Sequence, residues 1–102
     1  MVKKSRVKIT ILKKLSSRDI FGDSPPMGQA TEACRQFDVG QEFIVGEDGG
    51  MPEGFCHWAW NDIYKVVTTL MYGGSFSGKK DTPIVRCCTD GLRPVIFKLE
   101  RI

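Results

Sequence analysis

Near the start of the chain Val7, Ile9 and Ile11 alternate with Lys8, Thr10 and Leu12. A period of two is that of a strand with one face buried, so β-structure is expected over about residues 5–13. A second short run, VGQEFIV, lies within residues 37–45 and predicts a strand beginning after Gly40. Further on the period changes. Trp60, Ile63, Tyr64, Val67, Leu70 and Met71 recur at helical spacing and form one apolar face, with Asn61, Asp62, Lys65, Thr68 and Thr69 opposite. Asp62, in the early turns, would suit the positive end of the helix dipole. Gly73-Gly74 then ends the helix, because glycine accepts the left-handed conformation common at helix C-termini.

Two more apolar runs follow, PIVRCC around residues 83–88 and PVIFKLERI over 94–102. Asp90-Gly91 between them is a turn signal, so the pair predicts an antiparallel hairpin. SSRDIFGDSPPMGQ reads as a long irregular connection, ATEACRQF could carry a helical turn, and GEDGGMPEG reads as a loop. The order β, loop, β, α, β, β predicts an α+β fold, a small, mostly antiparallel sheet of about four strands packed against one long helix. With 102 residues, one domain over 1–102 is expected, large enough for a core without metal or disulfides.

Composition refines this picture. At 41% hydrophobic and 26% charged the chain has ordinary globular character. No apolar run approaches the ~18 residues of a membrane span, and a cytoplasmic location is expected. The net charge of +3 is unevenly spread. Residues 1–20 carry Lys3, Lys4, Arg6, Lys8, Lys13, Lys14 and Arg18 against Asp19 alone. Such a strand could touch phosphates. However, no aromatic or Asn/Gln reader residues lie among these charges, which argues against nucleic acid. Lysines that shield an exposed, edge-like strand from pairing with another chain are the simpler reading.

The candidate chemistry is sulfur. Four cysteines lie at positions 34, 56, 87 and 88, and none forms a C-x-x-C pair. In a cytosolic chain they are expected to be buried, reactive or metal-bound rather than disulfide-paired. Cys56 precedes the helix, where unpaired backbone N–H groups and the dipole stabilise a thiolate; alternatively it fills space behind Trp60. His57, the only histidine, is adjacent to Cys56, so the two side chains diverge at a helix start. Cys87 and Cys88 should point to opposite faces of their strand, one joining the core with Val85 or Ile84. Cys34, Cys56, Cys88 and His57 are of the right types to bind zinc or iron, although no closely spaced pair nucleates such a site. GGSFSGKK resembles a phosphate-binding loop, but Lys80 replaces the required hydroxyl and the segment follows a helix, so no nucleotide site is expected.

Beyond these local readings, VKITIL at 7–12, Cys34, VGQEF at 39–43, PEGFCHWA at 52–59, Gly73-Gly74 and CTDG at 88–91 before PVIFKLERI occur in one chain. Together they resemble a family of small, uncharacterised prokaryotic proteins whose pattern is VKITVL, a cysteine, VGDEF, PEGLCPWA, a glycine pair and CPDG before PVVFEL. The resemblance covers nearly the whole chain. It implies that Cys34, Cys56 and Cys88 are the family cysteines and that Cys87 is additional. The chain departs from the pattern at Gln41, His57 and Thr89. It also has Arg35-Gln36-Phe37 where the family has Gly-His after its first cysteine, which leaves His57 as the only imidazole available to a ligand set.

No established activity comes with that family. The resemblance does lead to one expectation, that the three cysteines converge on a small polar pocket at one end of the sheet. Two readings follow. In the first, a thiol-based site, metal-binding or redox, has Cys56 as its most activated thiolate. In the second, a non-catalytic interaction or homodimerisation module has cysteines that simply pack. Its anchor would be Trp58, which lies off the Trp60–Ile63–Val67 stripe.

Overall fold

A computed structural model describes residues 4–79 and 82–102; Lys3 of the basic segment and Lys80 of the GGSFSGKK stretch lie outside them. The elements are β1 (Val7–Lys14), α1 (Ser17–Phe21), β2 (Glu42–Val45), α2 (His57–Met71), β3 (Ile84–Cys87) and β4 (Val95–Arg101). They form the expected α+β architecture, a four-stranded antiparallel sheet in the order β2-β1-β4-β3 with α2 packed against it.

Alternation decides which face of the sheet is covered. Val7, Ile9 and Ile11 of β1, Phe43 and Val45 of β2, Ile84 of β3, and Val95, Phe97 and Leu99 of β4 are all buried. Burial of each such side chain stabilises the fold by about 1.5–3 kcal/mol. The register breaks between Ile11 and Lys13, a bulge that leaves Leu12 exposed.

On the other face Lys8 reaches Glu42 of β2 at 3.6 Å and Glu100 of β4 at 3.5 Å. This corrects the edge-strand expectation: β1 is central, and Lys8 bridges acids on both neighbouring strands. Its partners are distant in sequence, so nothing local to the lysines indicates them.

The helix buries a face rotated from the expected one. Ala59, Ile63, Val66, Val67, Leu70 and Met71 are buried, whereas Tyr64 is exposed and Trp60 half-buried. Small Ala59 lets the helix approach the sheet. The two large rings are pushed to the margin, where they meet edge to face at 5.6 Å. Asp62 is likewise not a dipole partner, because the first turn, described in full, contains no acidic residue.

The supposedly irregular segment after β1 contains α1. Ser16 and Asp19 form a capping box: the Ser16 Oγ accepts from the Asp19 amide and the Asp19 carboxylate from the Ser16 amide. The Ser16 amide is the main cause holding the Asp19 carboxyl below its ordinary range. Residues 30–36, by contrast, contain no helical turn. No helix among the described residues is long and apolar enough to cross a membrane.

Candidate functional site

Two core aromatics in loops set the site's position. Phe37 and Phe55 are buried with ring centroids 4.9 Å apart, and both also pack on Phe43 and Phe97 of the sheet. Phe37 follows Cys34 by three residues, and Phe55 immediately precedes Cys56. The Gln36 side chain donates to the Gly54 carbonyl at 3.1 Å, a second tie between the two loops. Packing of the aromatic cluster thus brings two cysteine-bearing segments together from 22 residues apart in sequence.

The third cysteine comes from the β3–β4 hairpin. The Cys88 amide donates to Val95 O at 3.0 Å, and Val95 N–H donates to the Cys88 sulfur at 3.3 Å. Asp90 organises the turn between them. Its carboxylate accepts from the Leu92 amide at 3.0 Å, the Arg93 amide at 3.2 Å and the Arg93 guanidinium at 2.9 Å. Partial burial opposes the charge on Asp90, but these hydrogen bonds outweigh it and hold the carboxyl below its ordinary value. The same pair raises Arg93, with a smaller pull from nearby Cys34.

Cys34, Cys56 and Cys88 line one open cavity of about 700 Å³, within the size range of small-molecule sites. Its walls are Phe37, Trp58, Ala59, Leu92 and Val95, with Arg35, Gln36, Thr89, Asp90, Gly91 and Arg93 completing the lining. Each of the three thiols is half-buried against the core, and all four cysteines are free. The Cys34 sulfur accepts from the Gln36 amide at 3.4 Å. Cys56 is the N-cap residue of α2, and its side chain makes no capping hydrogen bond. Both guanidiniums carry a carboxylate partner, Arg35 with Glu32 at 2.7 Å and Arg93 with Asp90.

His57 and Cys87 are not part of this cavity lining. His57 is exposed at the first position of α2, and Cys87 is exposed on β3. Among the described residues, no group of three or more His, Cys, Asp or Glu side chains is placed to hold a metal ion. The expectation of a zinc or iron centre on Cys34, Cys56, Cys88 and His57 therefore finds no ligand cluster. The three cysteines reach the cavity from three separate segments of the chain, and His57, exposed outside the lining, adds no imidazole to them. The GGSFSGKK segment leaves a helix and leads towards a strand; the Ser75 and Ser77 hydroxyls are turned onto the Lys79 carbonyl.

Trp58, the expected interface anchor, is 66% exposed yet fixed. Its indole N–H donates to Thr89 Oγ1 at 2.6 Å. Thr89 in turn gives its amide to Asp62 at 2.8 Å and its hydroxyl to the same carboxylate at 3.1 Å. Sequence reasoning missed this relay, as well as the roles of Phe37 and Phe55 and the Asp90–Arg93 ion pair. The one local signal was Asp90-Gly91, which marked a turn but not its arginine. No family model, curated protein or solved structure matches the chain, so the family resemblance stands on its quoted residues alone.

Proposed function

We propose that the cavity is a thiol-based redox site and that Cys56 is its attacking thiol. The observation that carries this reading is the lining of one ligand-sized cavity by three free cysteines from three separate elements. Cys56 opens α2, where the first backbone N–H groups have no partner within the helix. Its sulfur is not occupied as a cap, whereas those of Cys34 and Cys88 accept backbone N–H groups.

The co-reactant is a low-molecular-weight disulfide. The Cys56 thiolate attacks one of its sulfurs, a protein–ligand S–S bond forms, and the departing thiolate takes up a proton. A second cavity thiol, Cys34 or Cys88, then attacks the Cys56 sulfur and expels the remaining half. Two protein thiols are oxidised and one disulfide is reduced.

Cys87 is the internal control, because it is exposed on β3 outside the cavity lining. The test is residue-resolved mass spectrometry after brief exposure to oxidised glutathione at neutral pH. Cys56 should be modified faster than Cys87 despite its lower exposure. Modification in order of exposure alone, with Cys87 first, would overturn the proposal.

A further inference from the structure

We infer that Trp58 is a stacking wall and that the cavity takes a ligand with a flat, unsaturated ring. This rests on the reading of the cavity as a ligand site, but not on the reactivity of its thiols. A tryptophan 66% open to water receives little stabilisation from burial. Its orientation is nonetheless fixed by a chain of hydrogen bonds with a single consistent direction. The Asp62 carboxylate can only accept, so the Thr89 hydroxyl proton goes to it; the hydroxyl's free lone pair then takes the indole N–H, which can only donate. The relay joins the start of α2 to the β3–β4 turn across 31 positions of sequence. It holds the ring at the wall of the cavity.

The other walls suit the same class of ligand. Phe37, Ala59, Leu92 and Val95 are apolar, and the three thiols are soft and weakly polar. Arg35 and Arg93 already have carboxylate partners, so no strong unpaired charge asks for an ion in return. An apolar cavity with one rigid aromatic face favours a planar ring over a saturated body of the same outline. A ring recognises another ring through offset stacking or edge contact in addition to its area.

The test uses two unreactive probes, 1-naphthol and decahydro-1-naphthol, followed by amide chemical shifts on the unmodified protein. The naphthol should shift the amides of Ala59, Cys88 and Leu92 and bind at least about fivefold more tightly than the saturated probe. Trp58→Ala should weaken naphthol about tenfold, within the range that removal of an aromatic platform costs a stacked ring. Trp58→Phe should retain most of the affinity. Thr89→Val, which keeps the ring but releases it, should fall between the two. Because Trp58 lies outside the core, these variants should keep the amide dispersion of the folded protein, and the same spectra check this. Equal binding of both probes, no binding, or unchanged affinity in Trp58→Ala would overturn the inference. So would a dimer that Trp58→Ala dissociates while naphthol affinity stays the same, which would assign the ring to contact between copies. Failure here leaves the glutathione result on Cys56 intact, and the reverse also holds.

Discussion

The two ends of α2 are built on opposite plans. At the C-terminal end the last carbonyls are taken: Arg101 donates to Leu70 O at 2.9 Å and to Gly74 O, and the Ser5 amide donates to Met71 O at 2.8 Å. The chain then doubles back, with the Gly73 amide on Leu70 O and the Gly74 amide on Thr69 O. At the N-terminal end the cap is Cys56, with no side-chain bond to the first turn and no acid in that turn. A serine or aspartate there would be the ordinary stabilising choice. The closed end contributes to stability, and the open end presents a thiol to a cavity. One helix thus separates the two roles by its own length.

The strongest way to break this division is at the joint between the regions. Phe37 is both core and support for the Cys34 and Cys56 loops. Phe37→Ala should lose about 3–5 kcal/mol in chemical denaturation and should also slow glutathione modification of Cys56. Normal reactivity in a destabilised but folded variant would show that the cavity does not depend on the aromatic cluster.

At the closed end a smaller effect is expected. A Cβ on Gly74 would lie 2.6 Å from Thr69 Cγ2 and 3.0 Å from the Thr69 carbonyl oxygen. Gly74→Ala should destabilise by about 1–3 kcal/mol. Thr69→Ser in that background should recover part of the loss, since serine keeps the hydroxyl that bonds Lys65 O and lacks the methyl. Thiol reactivity at Cys56, at the other end of the 15-residue α2, should not change.

The hairpin that carries Cys88 offers a pH-dependent test. The folded Asp90 carboxyl is held below its ordinary value, so its contribution is present above its unfolded value of about 3.9 and is lost as pH falls through the lower folded value. Asp90→Asn should therefore be less stable than the parent by roughly 1 kcal/mol at pH 7, and the gap should close below about pH 4. Denaturation midpoints at pH 7 and pH 3 check this; an equal gap at both would remove Asp90 as the organiser of the turn.

What could be read in the sequence follows the range of the interactions. The α2 helix and the β3–β4 hairpin are legible because their signals, helical spacing and Asp90-Gly91, are local. The face of α2 differs from the expected one by part of a turn, because apolar spacing fits Trp60 and Tyr64 as well as it fits Ala59 and Val66, which the sheet accepts. The central place of β1 depends on Glu42 and Glu100, which only strand pairing brings to Lys8. α1 does not emerge from the sequence reading, because it is only five residues long and its one local mark, the Ser16–Asp19 capping box, lies in a stretch rich in Gly, Pro, Ser and Asp. The cavity was the hardest to see. Its supports, Phe37, Phe55 and the Trp58–Thr89–Asp62 relay, lie in loops or bridge distant segments, and no periodicity marks them.

The central claim, that the entrance of α2 is arranged for a thiol and not for stability, is tested most directly by Cys56→Ser. Cys56 already has the extended backbone of an N-cap, φ −83 and ψ 128. A serine hydroxyl there can accept from the Trp58 or Ala59 amide. Denaturation and glutathione labelling on the same samples should show a gain of about 0.5–1 kcal/mol in stability together with loss of the fastest modification. Lower stability, or labelling as fast as in the parent chain, would contradict it.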